Sequence, residues 1–486
     1  MLGAALALYV ATLAPGVLWA DSGHLQLTAV VGRVQGSAGS HPLWVWIAHA
    51  FTRIAIGDMA GRVNLVSALM AAVTVAIVHR TLLNLGITRR SALMAAAALA
   101  VAHTFWTHAV VAEVYSLTLA FMALTVWLAL RWHRTGRRGY LVGTSLTLGI
   151  GLLAHLLVVL YLPGILWLLW SRRRRLSATD LGLGVAAGVA GAAPLVVLVW
   201  RDAVVSGMNL GEALRWGLFT FEGYDFGRAM VAFSWRQLPS DAMEWLAFLG
   251  LQYVGISLLA GLAGFLAIWR RSGRDVAAFV LWLYLGAVVF AFAYRVGDRY
   301  VFYLPSYLPF ALWIGFGLDW AREALAGRLG RDPWRSWVGV GLLLLVVGVP
   351  VATYRVAPEM VARGVTFRDT RHVPGPRGRL YFLWPPKCGY DEAGAYARAA
   401  LTSMPPDGLL LADPVLAAPL IFVRSVGGLR PDVAIGYCCW DLTDVLEREA
   451  GRPIALADTA PEVYPAQALA GYSLVPRGNV YLVVRQ

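Results

Sequence analysis

The sequence predicts a polytopic α-helical membrane protein with about eleven transmembrane helices, followed by a C-terminal α/β domain. Three observations carry this. Of 486 residues, 59% are hydrophobic and 14% charged, whereas a soluble domain carries about a quarter charged. Apolar runs long enough for a bilayer recur throughout residues 1–353. Beyond residue 354 they give way to short alternating segments. Twenty Trp and nineteen Tyr suit a chain that meets membrane–water interfaces repeatedly, where amphipathic rings are favoured.

Spans are expected near 1–19, 60–79, 91–106, 112–131, 140–154, 156–170, 181–200, 243–268, 276–295, 301–319 and 337–353. The stretch 140–170 has Arg138 before it and Arg172, Arg173, Arg174 and Arg175 after it. A hairpin of two short helices puts both basic ends on one side; a single long helix does not. The first run reads as a span rather than a signal peptide. It has no basic start and no A-x-A site, and Pro15-Gly16 breaks it before its end.

The formal charge of +13 invites a nucleic-acid reading, but its location argues otherwise. Residues 1–353 hold 27 Arg against 15 acidic residues, while residues 354–486 hold 14 basic and 13 acidic. The excess therefore lies in short loops between apolar runs, which reports orientation rather than a partner. With the N-terminus inside, the inner loops carry 18 Arg and the longer outer segments 9. Eleven spans then leave residues 354–486 extracytoplasmic. No nucleic-acid partner is expected.

In that tail, residues 379–384 read as a strand, followed by helix 391–403, strand 408–412, helix 415–426, strand 431–436, helix 441–450 and strand 453–457. Junctions such as Ala412-Asp413-Pro414 lack the glycines that let a backbone cradle phosphate, so binding or scaffolding is expected rather than nucleotide chemistry. Three Cys (Cys388, Cys438, Cys439) are too few for a disulfide framework.

Polar residues at bilayer depth are costly unless paired or used. Asp21 and His24 follow the first span directly. Glu113 and Tyr115 enter the outer end of the fourth span, near His103 and His108. His155 sits at the hairpin tip, and Asp298-Arg299 crosses between spans nine and ten. All are expected on the outer face. A carboxylate there can take the proton of an attacking hydroxyl, and Arg33, Arg295 or Arg299 can hold a leaving phosphate. The plainer readings are that Asp21 caps a helix, Glu113 pairs with Arg62 or a His, Asp298-Arg299 forms a turn with a surface ion pair, and His155 packs the tip. No D-x-D motif exists, and no metal ligands are assigned.

The sequence resembles membrane proteins of the GT-C superfamily that include the transmembrane protein 260 type of protein O-mannosyltransferase. The matching pieces begin with Leu13-Ala14-Pro15-Gly16-Val17, Asp21-Ser22-Gly23, His41-Pro42, and Arg62-Val63-Asn64-Leu65 with Ser67-Ala68. They continue with Phe105-Trp106, Val110 through Leu117, Gly151 and His155, Gly297-Asp298, Tyr303 through Tyr307, and Gly428 through Val433. The resemblance implies a GT-C fold in a bacterial inner or plasma membrane and a polyprenyl-phosphate sugar donor. It also implies a catalytic acid in the first outer loop, which by position is Asp21. The chain departs from the family pattern at His24, where Glu is usual, and after His41-Pro42, where a longer motif is usual.

The expected function is transfer of a sugar, mannose by resemblance, from polyprenyl phosphate to an acceptor hydroxyl on a protein or glycan. Asp21 is the expected base; His24, Arg33, His41, Glu113, Tyr115, His155, Asp298 and Arg299 are expected to bind substrate. No cofactor beyond the lipid-linked donor is assigned. The rivals are a transporter or flippase of lipid-linked sugar and a non-catalytic glycan receptor.

Overall fold

Pro15-Gly16 stops the first helix early. In the computed structural model, which describes residues 1–221, 224–227, 229–330, 332, 334, 337–363, 373–437 and 442–486, helix α1 covers Leu2–Ala11. The expected span 1–19 is therefore a ten-residue helix with an irregular loop after it. Two short helices follow, α2 (Ala20–Val31) and α3 (Pro42–Thr52), each too short to cross a bilayer. Then come α4 (Met59–Asn84), α5 (Arg89–Ala100), α6 (His103–Ala109), α7 (Tyr115–Thr135) and α8 (Arg138–Gly151). A 3-10 turn leads into α9 (Leu162–Ser171), and α10 (Ala178–Val205) follows, so the expected hairpin at 140–170 is present. Next are α11 (Leu210–Phe219), a two-residue ladder β1 (Thr220–Phe221) with β2 (Tyr224–Asp225), and α12 (Leu238–Gln252). The bundle closes with α13 (Ile256–Arg271), α14 (Gly273–Ala293), α15 (Leu304–Leu329) and α16 (Trp337–Ala362).

Among the described residues, six helices are long and apolar enough to cross a membrane, or up to eight if each bent pair counts as one span. The chain is a multi-pass membrane protein. Two expected spans are broken. The pair α5–α6 bends by 70° and the pair α12–α13 by 111°. Gly255, at φ 71°, turns the second break. Tertiary partners take up backbone groups at the first break and beside the second: Gln252 Oε1 accepts from Thr104 N at 2.7 Å, and Tyr354 OH lies 3.2 Å from Val101 O and 3.1 Å from Leu251 O. Broken helices survive at membrane depth only with such partners.

α15 is the central helix, with residues 301–319 buried throughout. A Cβ on Gly264 would strike the Trp313 carbonyl, and one on Gly317 the Ala260 carbonyl. Glycine at both places lets α13 and α15 touch backbone to backbone, the usual packing device where lipid supplies no hydrophobic drive. By contrast α10 presents Val185, Val189, Val196 and Val197 outward, as a lipid-facing helix should.

The loop arginines gather at one end of the bundle. There Arg131 donates to Asn84 Oδ1 at 3.2 Å, Arg138 pairs with Asp180 at 2.7 Å, and Arg172 donates to His133 at 3.1 Å. Buried Asp319 accepts from Thr88 at 2.5 Å, Ser91 at 3.1 Å, Arg271 at 2.7 Å and Arg322 at 3.2 Å. The opposite end carries the loops expected outside. Gly36 N donates to Asp202 at 2.7 Å, and His41 Nδ1 lies 2.9 Å from Ala154 O.

The tail folds as a five-stranded sheet of order β4-β3-β5-β7-β6. Its elements are α17 (Glu392–Ser403), β3 (Leu409–Ala412), α18 (Pro414–Ser425), β4 (Ala434–Tyr437), α19 (Leu442–Arg448), β5 (Ile454–Leu456), β6 (Tyr472–Arg477) and β7 (Val480–Arg485). β3 lies parallel to β4 and β5, while β7 is antiparallel to β5 and β6. Two expectations differ. Residues 379–384 form turns after a 3-10 helix at Gly378–Leu380 instead of a strand, and the β6–β7 hairpin was unread. Cys438 and Cys439 lie outside the described residues. α18 packs on α2, where a Cβ on Gly23 would come within 3.0 Å of Ala418 Cβ.

Candidate active site

Two buried amides fix the loop that leads to Asp21. Gln26 Oε1 accepts from Leu18 N at 3.0 Å, and its Nε2 donates to Asn64 Oδ1 at 2.8 Å and Gly16 O at 3.2 Å. Asn64 Nδ2 donates to Ala14 O at 2.9 Å. Every polar atom of this pair is spent on the 14–18 backbone or on its partner, as burial demands. The loop delivers Ala20 with φ 52° and then Asp21 in the first turn of α2, exposed. His24 lies one turn on, so it shares the face of Asp21.

Ser22, next to Asp21, is buried, and its Oγ donates to Glu113 Oε1 at 3.2 Å. Ser67 fixes the Glu113 backbone, accepting from its N–H and donating to its carbonyl, both at 3.1 Å. Glu113 holds its proton well above the usual carboxylate range. Burial is the first cause, and the charges of Asp21 and Asp298 add to it. Three carboxylates thus converge here from α2, the α6–α7 link and the turn before α15. Arg62 is not the partner of Glu113; it donates to the carbonyls of Thr52, Ile56 and Gly57.

Beside the carboxylates stands an aromatic wall. The His41 and His155 rings stack at 4.9 Å, Tyr115 lies 5.7 Å from His155, and Phe302 lies 6.1 Å from Tyr115. His41, Glu113, Tyr115, His155 and Asp298 each keep partial exposure among buried neighbours. Burial lowers His41 to about 4, and burial followed by the His41 charge lowers His155 well below its usual value. Both rings are therefore neutral. His155 Nδ1 accepts from Leu157 N at 3.1 Å, so its Nε2 carries the hydrogen. His41 Nδ1 donates to Ala154 O, so its Nε2 is an acceptor. The wall offers one donor and one acceptor side by side.

Two of the expected phosphate contacts are placed otherwise. Arg299 is buried and donates to Asp241 Oδ1 at 2.7 Å and to Glu244. Arg295 donates to Asp241 Oδ2 at 2.7 Å. Both guanidiniums are thus occupied by carboxylates of α12, which fastens the turn carrying Asp298. Arg33 is exposed beyond the C-terminal end of α2. Twelve residues of helix put it ~18 Å from Asp21 along the axis, too far for one phosphate to meet both. Sequence reasoning missed Gln26, Asp241 and Glu244 altogether. An amide within six residues of Asp21 was the available signal.

The tail touches the bundle next to the loop that leads to Asp21. Trp19 Nε1 donates to Tyr390 OH at 2.7 Å, Lys387 N donates to Thr12 O at 2.8 Å, and His103 Nε2 lies 2.9 Å from Leu383 O. Among the described residues no group of three or more His, Cys, Asp or Glu is arranged to hold a metal ion.

Residues 21–178 match the family model for the Protein O-mannosyl-transferase TMEM260 N-terminal domain. That stretch holds Asp21, the Glu113 link and the histidine wall. No curated protein matches the chain. Among solved structures, ArnT from Cupriavidus metallidurans bound to undecaprenyl phosphate is similar at a TM-score of 0.59 and 15% identity, over 99% of this chain and 96% of that one. Arabinofuranosyltransferase AftD from Mycobacteria is similar at a TM-score of 0.51 and 14% identity, over all of this chain but 40% of AftD. The match over residues 21–178 and the shared fold are in line with the resemblance read from the sequence.

Proposed function

We propose that this chain is a glycosyltransferase that moves one sugar from a polyprenyl phosphate to an acceptor hydroxyl at the outer membrane face. The observation that carries this reading is the convergence of Asp21, Glu113 and Asp298 beside a neutral donor–acceptor wall, at the end of the bundle opposite the arginine loops. The acceptor oxygen attacks the anomeric carbon as the bond to the phosphate oxygen breaks. The hydroxyl proton passes to Asp21, and polyprenyl phosphate leaves with the bonding pair, inverting the carbon. Glu113, holding its proton, can donate to a sugar or phosphate oxygen. His41, Tyr115 and His155 grip sugar hydroxyls, and His24 lines the acceptor side. Arg299 reaches a phosphate by exchanging the half-exposed Glu244. Arg33 serves headgroups or acceptor away from the reacting centre.

Several features support the wider reading. ArnT, which shares the fold, was solved with undecaprenyl phosphate. In this reading residues 354–486 lie on the same side as Asp21 and hold the acceptor; the contact of α18 with α2 is in line with that placement. Mannose is the first sugar to test, because of the family match. A flippase would place its polar groups near the midplane, whereas these gather at one end.

The test uses undecaprenyl-phosphate [14C]mannose in proteoliposomes with a cell-envelope acceptor extract. Wild type is expected to transfer label covalently. Asp21→Asn should insert and melt normally yet transfer at under about a thousandth of the rate. Full activity in that variant overturns the assignment of the base, and lipid movement without transfer supports the flippase.

A further inference from the structure

A groove of about 580 Å³ opens on the side of the bundle next to the arginine run at 172–175. Three helices form it: α9 gives Leu166 and Trp170, α10 gives Leu181, and α14 gives Trp282, all exposed. Trp167 ties α9 to α14 by donating its indole hydrogen to Asp275 O at 3.1 Å. Among the described residues, Arg173 is the one charged group of the lining. Its guanidinium carbon lies over the Trp170 ring, 4.3 Å from the centroid, and its Nη1 donates to Trp170 O at 3.1 Å. Trp282 lies nine residues into α14, about 14 Å of helix from its start at the arginine end. The groove therefore has a basic mouth and an apolar floor that runs into the membrane slab.

The charge at this mouth is not answered within the protein. Arg172 donates to His133 at 3.1 Å, and Asp275 lies 3.5 Å from His133. Asp180 is taken by Arg138 and by the Ser177 cap, both at 2.7 Å. Among the described residues no carboxylate pairs with Arg173, Arg174 or Arg175, and all three are exposed. A topology anchor accounts for four positive charges in a row. It does not account for one of them being held across the mouth of an apolar groove. Guanidinium forks match phosphate oxygens, and basic pockets between membrane helices suit anionic headgroups.

We propose that this groove binds one anionic phospholipid of the adjacent leaflet, with an acyl chain between α9, α10 and α14 and the phosphate on Arg173, Arg174 and Arg175. A zwitterionic lipid fits the apolar part equally well but brings a cation to a mouth that is already basic. The arginines therefore select for net negative charge. The volume falls in the range of ~300–1,000 Å³ typical of small-ligand sites. α9 is the returning arm of the hairpin whose tip carries His155, so the lipid braces that arm at its far end. The groove stands at the opposite end of the bundle from the carboxylates, and the proposal does not depend on the sugar-transfer reading.

The test uses the full-length protein, delipidated in detergent and titrated with phosphatidylglycerol or phosphatidylcholine of the same chains. Native mass spectrometry counts the lipids bound. Wild type is expected to take its first phosphatidylglycerol about tenfold or more tighter than phosphatidylcholine. Each arginine near an anionic headgroup contributes about fivefold. Arg173→Gln with Arg174→Gln should therefore weaken phosphatidylglycerol about twentyfold and leave phosphatidylcholine within about twofold. Arg80→Gln, an exposed arginine near the same end on α4, should change neither. On wild type, a phosphatidylglycerol with a photoactivatable diazirine in its acyl chain should label residues 163–181 and the α14 segment around Trp282. Equal affinity for the two lipids, an unmoved affinity in the double variant, or labelling that avoids these segments overturns the proposal. So does equal displacement by undecaprenyl phosphate at matched concentration, because the groove would then belong to the polyprenyl lipid.

Discussion

Replacing Asp241 by Asn tests whether the Arg295–Arg299 cluster is a strut of the site. Asp241 is 2% exposed and sits in the first turn of α12, where negative charge suits the helix dipole. It accepts from Arg299 Nη1 and Arg295 Nη2, both at 2.7 Å. Removing its charge leaves Arg299 with Glu244 alone and Arg295 with the Ala232 carbonyl at 2.8 Å. Breaking a fully buried pair costs about 3–5 kcal/mol. Glu244 remains and the Arg295 side chain is 25% exposed, so the lower end applies, about 3 kcal/mol. In detergent, the thermal midpoint of Asp241→Asn should fall by a few degrees. The turn bearing Asp298 should also loosen in hydrogen exchange. Adding Arg299→Gln should cost less than the sum of the two single changes, with a coupling of about 1 kcal/mol or more. Additive losses, or an unchanged midpoint, would show that Arg299 is not committed to Asp241. That would return it to the pool of free phosphate ligands.

Two further predictions concern other buried charges. Asp319→Ala removes the buried acceptor shared by Thr88, Ser91, Arg271 and Arg322; Glu323 still pairs with both arginines, so its midpoint in detergent should fall about as far as that of Asp241→Asn, by about 3 kcal/mol of stability. Lys387 is buried and its ammonium is depressed to about 7, by burial first and by the Arg377 charge second. The unfolded lysine keeps its proton to higher pH, so stability should rise with pH from about 7 toward the unfolded value and lie flat below it. Hydrogen exchange of residues 381–390 should slow over that window, and Lys387→Met should abolish the slope.

The helices were legible because apolar runs separated by arginine have few other readings. The bends were not. No residue at 101–102 announces a break; the partners that permit it are Gln252 and Tyr354, about 150 and 250 positions away. The hairpin at the C-terminus went unread because Pro476 and Arg477 interrupt the alternation that Tyr472, Leu474 and Val480 otherwise show. At the site, Asp21 and Glu113 stood out as acids bordering apolar runs, and the structure brings them together through Ser22. The surroundings of Arg299 and Arg33 were not legible for one reason: a sequence shows a charge but not its distance from another. The α12 carboxylates that occupy Arg299 lie more than fifty residues before it, and α2 turns the short sequence gap between Asp21 and Arg33 into a full helix length.

Two non-glycine residues at the site adopt the left-handed backbone, Ala20 at φ 52° and His41 at φ 50°. Each costs about 1–2 kcal/mol relative to an ordinary conformation. Such strain persists only where the surroundings over-determine it. Around Ala20 those surroundings are the Gln26–Asn64 amides on the membrane side and the Trp19–Tyr390 bond on the tail side. Around His41 they are the Ala154 carbonyl and the His155 ring. The two strained residues bound the outer loop segment that holds α2, one immediately before Asp21 and the other within the histidine wall. A loop free to relax would let both residues return to ordinary backbone angles and would carry Asp21 away from Glu113. The membrane bundle thus supplies part of the restraint on Ala20 and the C-terminal domain another part, through the Trp19–Tyr390 bond.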